Sequence, residues 1–278
     1  MRFLVAATVA LLAAAPATAQ VLDRLAEQEP LRIAVREDAR PLSWTEGQSP
    51  RGYSVSLCLE VARRVALAAD LEGVNFRYVP VSAETRFDAI ENGEADLLCG
   101  AATVTLSRRD RVEFSIATFV DGAGVMVRAD ADIDGLEDFA GRRVAVRGAT
   151  TTEEALRNTL ERMEMQAEVA AVESHDAGLS ALLAGEVDAY FADRSILLGL
   201  AATPDAAEAV AVSAELLTVE RHALALPRGD HAWRQAVDGA LSRMYADGAM
   251  RRIFAESFPG ALPGLGLEAL WLLGGLPE

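Results

Sequence analysis

The sequence predicts an α/β protein of two Rossmann-like lobes joined by a two-strand hinge. Three observations carry this expectation. Strand-like and helix-like runs alternate through two successive units of the chain. A helix–Gly–Glu–x–Asp–strand pattern at Glu91-Asn92-Gly93-Glu94-Ala95-Asp96 recurs at Ala184-Gly185-Glu186-Val187-Asp188. The two helices after the second unit have no strands of their own, so they are expected to return to the first. A βαβαβ order implies a parallel sheet with helices on its faces.

The chain begins with a segment read as a leader rather than as part of the fold. Met1-Arg2 is a short basic start, residues 3–15 are apolar, and Ala17-Thr18-Ala19 supplies the small residues a signal peptidase reads. The apolar run is shorter than the roughly 20 residues a membrane anchor needs. Residues 1–19 are therefore expected to be removed on export, with Gln20 as the first mature residue.

In the first unit, 31–35 reads as a short apolar strand and 55–68 carries helical spacing. Residues 74–79 read as a strand, 86–91 as a helix stopped by Asn92-Gly93, and 95–99 as a buried strand. After a strand-like run at 122–128, the polar segment 129–138 marks a boundary. The second unit follows as strand 144–146, helix 152–164, strand 167–172, helix 177–184 and strand 189–191. An extended run at 222–227 and helices near 232–246 and 249–257 complete the pattern. The expected division is 20–126 plus 224–278 for the first lobe and 127–223 for the second. In each unit a glycine ends a helix and an aspartate opens a strand. Two similar lobes joined by extended segments form a hinged clamp, suited to enclosing a small ligand.

Charge and composition narrow the partners. The formal charge is −16, or −17 once Arg2 leaves with the leader, which disfavours nucleic acid and anionic lipid as general partners. All 26 basic residues are arginine, so arginine also does the routine surface work that lysine shares elsewhere. A lone arginine is therefore weak evidence for anion recognition, and only constellations count. Cys58 and Cys99 form a pair that an exported chain tends to oxidise, worth roughly 4 kcal/mol in the chain-entropy model. The alternative is two small buried hydrophobes. No cofactor or metal is expected.

Ligands of such sheets lie beyond the carboxyl ends of the strands, where residues 100–105 and Asp193 fall. The stretch GEADLLCGAATVTLSRRDR at 93–111 offers backbone N–H groups, the hydroxyls of Thr103 and Thr105, and a helix N-terminus that Arg108 can join. A carboxylate would meet a guanidinium fork there; an ordinary capped helix explains the same residues. The turn Gly148-Ala149-Thr150-Thr151-Thr152-Glu153 is a second anion nest, or a plain N-cap. Asp193 suits an ammonium group or a helix cap, and His175 opens a helix.

The segments ARPLSW, RGYSVSLC, RFDAIENGEADLLCGAATVTLSRRDRVEFS, VRGATTTEEAL and HDAGLSALLAGEVDAYFAD give the chain a family likeness. Residues 20–258 resemble the periplasmic amino-acid-binding proteins of ABC transporters, the type II solute-binding family 3, and most of all its glutamate/aspartate branch. The resemblance implies a periplasmic monomer that captures an amino acid for a membrane permease and catalyses nothing. It implies Arg108, Thr103 and the main chain at Ala101 as partners of the ligand α-carboxylate, with Thr150 and Thr151 from the second lobe. It implies Asp193 for the α-ammonium, and Arg36, Arg86 and His175 for the distal group. Trp44 is a candidate to pack over the ligand's carbons. Two serines of that branch are Ala101 and Ala83 here, which removes hydroxyl donors. A dehydratase-like enzyme on the same scaffold and a sensor input protein are the competing readings. The leucine-rich tail 262–277 lies beyond the resemblance and is expected to pack on the first lobe, with docking to a permease as the alternative.

Overall fold

Each lobe is built on a five-stranded sheet. The computed structural model describes residues 20–133 and 135–277, and the expected leader at 1–19 lies outside them. The chain opens with α1 (Val21–Ala26) and β1 (Leu31–Arg36), then a small antiparallel sheet of β2 (Asp38–Ala39), β3 (Ser43–Glu46) and β4 (Ser49–Arg51). α2 (Tyr53–Ala68), β5 (Phe76–Val81), α3 (Arg86–Glu91), β6 (Leu97–Cys99) and α4 (Leu106–Arg109) complete the first unit. β7 (Glu113–Asp121) leads directly into β8 (Ala123–Arg128). The second unit continues with a 3-10 turn (Leu136–Phe139), β9 (Arg143–Arg147), α5 (Thr151–Arg162), β10 (Glu168–Val172) and α6 (His175–Leu183). β11 (Ala189–Asp193), α7 (Arg194–Ala201) and β12 (Val210–Val212) end it. β13 (Glu220–Leu226), α8 (His231–Ala246), α9 (Ala249–Ser257) and α10 (Leu265–Leu273) close the chain.

The sheet orders are β5-β1-β6-β13-β7 and β10-β9-β11-β8-β12. β5, β1 and β6 are parallel, as are β10, β9 and β11. Neither sheet is wholly parallel, which corrects the expectation from alternation. β13 runs antiparallel to β6 and β7, and β8 antiparallel to β11 and β12. The crossing strands arrive from the other lobe without a helical crossover, and only a crossover returns the chain in a parallel sense.

The two crossings touch. Ala123 N donates to Thr218 Oγ1 at 2.9 Å, and Leu217 N donates to Ala123 O at 2.8 Å. Between β7 and β8 sits Gly122, where a Cβ would stand 2.1 Å from Thr218 O. Only glycine lets the outgoing and returning chains pass this closely.

The repeated Gly–Asp pattern acts alike in both lobes. Gly93 and Gly185 take φ of +70° and +72°, reversing the chain after α3 and α6. Asp96 Oδ2 then accepts from Arg32 N at 2.8 Å, and Asp188 Oδ2 accepts from Arg143 N at 3.1 Å. Each aspartate so pins its strand to the neighbouring parallel strand, β6 to β1 and β11 to β9.

α2 buries Leu57, Cys58, Val61 and Val65 against the first sheet, and α8 buries Trp233, Val237, Leu241 and Met244 in the same cluster. The closing helices thus pack against the first sheet. Cys58 and Cys99 are joined in a disulfide with Cα atoms 6.2 Å apart, linking α2 to β6. The tail packs through one face of α10: Leu267 and Trp271 are buried, and the Trp271 ring lies 5.3 Å from that of Phe254. Among the described residues no helix is long and apolar enough to cross a membrane.

Candidate functional site

Three strands deliver their last residues to one small cavity between the lobes, and the chain just past a fourth joins them. β1 ends on Arg36, β9 on Arg147 and β11 on Asp193, and the chain beyond β6 supplies Ala101 and Thr103. Arg86, Arg108, Thr150, Thr151, Thr152, His175, Ala192 and Ile196 complete the lining. Nine residues expected from the sequence therefore meet here. Trp44 does not: it lies outside this lining, with the Arg40 guanidinium 4.8 Å from its ring centre. The cavity is only about 20 Å³, room for a single water-sized group. An amino acid enters only if the lobes or side chains move.

One end is dominated by guanidinium groups. Arg36 is 1% exposed and donates from Nε and Nη2 to Asp38 Oδ1 at 2.9 and 2.5 Å. Arg147 donates from Nε to Asp38 Oδ2 at 3.2 Å. From Nη1 and Nη2 it reaches Glu84 Oε1 and Oε2, at 2.6 and 3.0 Å. Burial works to raise the Asp38 carboxyl, but Arg36 and the other cationic neighbours outweigh it and hold it low.

Arg86 has no such carboxylate. It is 2% exposed, and its one hydrogen bond runs from Nη2 to Ala149 O at 3.2 Å. Its Nε and Nη1 lack partners, and its guanidinium stacks 4.6 Å over the Phe87 ring. Burial and then the Arg36 and Arg108 charges push its pKa well down. Three guanidiniums thus face two carboxylates at this end, a net charge of +1 in search of an anion. His175 Nδ1 lies 2.7 Å from the Tyr190 hydroxyl. Burial first, then Arg36, lowers the His175 pKa to about 3, so the ring is neutral. Tyr190, raised well above its ordinary value by burial, keeps its proton. We assign that proton to the bond with Nδ1, which leaves the ring's own proton on Nε2 as a donor.

Arg108 stands on α4, where Thr105 Oγ1 accepts from its N–H at 3.2 Å as an N-cap. Its Nη1 donates to Thr103 O at 2.8 Å, and burial lowers its pKa. The helix is capped, and the guanidinium also lines the cavity. The 148–153 turn is an N-cap in its side chains. Thr150 Oγ1 accepts from Glu153 N at 3.2 Å and donates to Arg147 O at 2.7 Å, so its hydroxyl is spent within the turn.

Glu220, at the start of β13, engages the hydroxyls expected to serve a ligand carboxylate. Its Oε2 accepts from Thr103 Oγ1 at 2.5 Å and from Thr151 Oγ1 at 2.8 Å. The protons of both threonines point to Glu220 in this arrangement.

Asp193 closes the opposite end. Burial pushes its pKa up to about 6; His222 opposes this, while Asp121 and Glu220 add to it. Thr152 Oγ1 donates to its Oδ1 at 3.2 Å.

Sequence reasoning missed Asp38, Glu84, Arg147, Glu220, Asp121 and His222. For Arg147 there was a signal: it ends β9 as Arg36 ends β1, each the strand that opens the parallel run of its sheet.

Comparison with known proteins follows the same lines. The chain is 28% identical over 268 residues to an L-glutamate/L-aspartate-binding protein of Pseudomonas aeruginosa, covering 94% of this chain and 89% of that protein. It is 22% identical over 251 residues to a glutamate/aspartate import solute-binding protein of Escherichia coli, covering 90% and 83%. Its fold matches an ancestral amino-acid-binding protein, described as a precursor of cyclohexadienyl dehydratase. The TM-score is 0.72 at 24% identity, covering 85% of this chain and 99% of that one. Residues 31–260 match the model of the bacterial extracellular solute-binding proteins, family 3, and the chain belongs to that family.

Proposed function

We propose that the protein is a receptor that closes on an acidic amino acid, glutamate or aspartate, outside the cytoplasm and presents it to the permease of an ABC importer. The observation that carries this reading is Arg86, a buried guanidinium with two unpartnered nitrogens at the cationic end of the cleft. Leaving such donors unpaired costs on the order of 1–3 kcal/mol, which a ligand carboxylate would recover. The names of the relatives agree with it.

In this reading Arg108 forks the α-carboxylate, with backbone N–H groups near Ala101 and Thr151. Asp193 receives the α-ammonium. Arg86 and His175 Nε2 hold the side-chain carboxylate, while Arg36, already bound to Asp38, keeps Nη1 as its remaining donor. Thr103 and Thr151 exchange Glu220 for the ligand as it enters. The amino acid is released unchanged, since capture and delivery need no bond to break.

Calorimetric titration of the mature protein with the common amino acids tests this. Saturable binding of L-glutamate or L-aspartate is expected, and Arg108→Ala should abolish it. Binding of glutamine or an apolar amino acid with no response to either acid would overturn the ligand class. Chemical conversion of the bound amino acid, followed by NMR, would favour an enzyme.

A further inference from the structure

Asp121, Asp193 and His222 converge where the crossing strands pass beneath the cleft. They come from the end of β7, the end of β11 and the middle of β13. Each offers one ligand atom, and the three atoms lie within 4.8 Å of one another. His222 Nε2 faces Asp193 Oδ2 at 3.5 Å. The imidazole is buried, at 2% exposure for the residue, and neither ring nitrogen has a hydrogen-bond partner. A buried polar ring with both nitrogens unpaired points to a missing partner.

The carboxylates are held from behind. Asp121 Oδ1 accepts from Gly122 N at 2.9 Å and Ser195 N at 3.2 Å, and Oδ2 accepts from Ser195 Oγ at 2.5 Å. Asp193 Oδ1 accepts from Thr152 Oγ1 at 3.2 Å, which leaves Oδ2 toward His222. Hydrogen bonds of this kind fix the direction of metal-ligating carboxylates. Glu220 adds negative charge nearby, though its Oε2 is committed to Thr103 and Thr151.

We propose that Asp121, Asp193 and His222 form a binding site for a divalent first-row transition metal of the Zn²⁺ class. Two carboxylate oxygens and an imidazole nitrogen are the donors such ions take, and three protein ligands leave a fourth position open. With metal–ligand bonds of about 2.0–2.1 Å, tetrahedral ligand atoms lie about 3.4 Å apart. The separation of Nε2 from Asp193 Oδ2, 3.5 Å, already meets that spacing. Coordination would satisfy His222 Nε2 and neutralise two carboxylates that, among the described residues, no arginine hydrogen-bonds. Because Asp193 is also the proposed ammonium partner, metal and amino acid should exclude one another. By reciprocity each lowers the other's affinity by the same factor.

The test is a calorimetric titration of chelator-stripped full-length mature protein with Zn²⁺, without amino acid, and with Mg²⁺ as a control ion. One Zn²⁺ per chain is expected, with Mg²⁺ far weaker. His222→Phe, whose ring keeps its place beside Phe119, and Asp121→Asn should each weaken Zn²⁺ by at least about tenfold. Co²⁺ should give the visible absorption of a low-symmetry site in the wild type only. No stoichiometric Zn²⁺ binding, or binding unchanged in His222→Phe as for scattered surface carboxylates, would overturn the proposal. An unfolded Asp121→Asn variant would not decide the matter, because His222→Phe with a native circular dichroism spectrum does. Since the titration contains no amino acid, failure of the acidic-ligand reading leaves its outcome readable.

Discussion

Glu84 and Arg147 stand on opposite lobes and meet in a two-point ion pair, with oxygen–nitrogen distances of 2.6 and 3.0 Å. Arg147 also holds Asp38 in the first lobe. Arg86 on α3 reaches back to Ala149 O in the second, and Thr103 meets Thr151 across the same seam at 3.2 Å. The closed cleft is stitched together by a few polar contacts between rigid sheets, the arrangement expected of a clamp that opens about its hinge.

Glu84→Gln should therefore shift the ligand-free protein toward an open form, seen as a larger radius of gyration by small-angle scattering at neutral pH. Half of the Glu84 side chain is exposed, so the pair contributes at most about 1 kcal/mol, a population change of up to about fivefold. The Arg147 bond holds the Glu84 carboxyl down to about 2 against an ordinary 4.5. The closing bias is thus full above pH 4.5 and is lost as pH falls toward 2. A variant as compact as the wild type would show that the pair does not govern closure.

His175 is a neutral base in the folded protein, with its pKa lowered from 6.5 to about 3. The unfolded chain binds the proton first, so stability is full above about pH 6.5 and falls as the medium becomes more acidic. Each unit below that value should cost about 1.4 kcal/mol until the folded pKa is approached. Urea unfolding at pH 7.5 and 5.5 measures the loss. His175→Gln should remove the part due to this ring, and an unchanged acid slope would contradict the assignment.

Replacing Arg86 with an apolar side chain of similar length separates stability from binding. Arg86→Met removes a buried cation with unpartnered donors and should raise stability by on the order of 1–2 kcal/mol in chemical denaturation. The same change should weaken glutamate at least about tenfold, since charged hydrogen bonds are worth about 1.5–3 kcal/mol. A variant that is more stable and binds glutamate unchanged would remove Arg86 from the ligand site.

Local patterns were legible in the sequence, and so was the Cys58–Cys99 pair, but most ion pairs between distant segments were not. The α3 helix and the α9 helix are expected at the residues where they occur, because apolar spacing and the Asn92-Gly93 stop act within a few residues. The repeated Gly–Asp pattern pointed to duplicated lobes because each aspartate bonds the neighbouring parallel strand of its own lobe. β7 escaped notice: its burial alternates poorly along EFSIATFVD, and the helices α8 and α10 pack against it. Asp38 and Glu84 carry no local mark that sets them apart in a chain with 42 acidic residues. They become site residues only because Arg36 and Arg147 end neighbouring strand tips. Asp121 and His222 meet solely because β7 and β13 are neighbours in the first sheet. That proximity depends on the register of β13 against β7, which no short-range pattern encodes. Trp44 was misplaced for the converse reason: its segment folds into a hairpin sheet that points it toward Arg40.

The most direct measurement is a crystal structure with L-glutamate bound. The α-carboxylate is predicted on Arg108, the ammonium on Asp193 and the side-chain carboxylate on Arg86 and His175, with Glu220 displaced from the two threonines. A glutamate whose side-chain carboxylate makes no contact with Arg86, or one bound outside the inter-lobe cleft, would contradict the account.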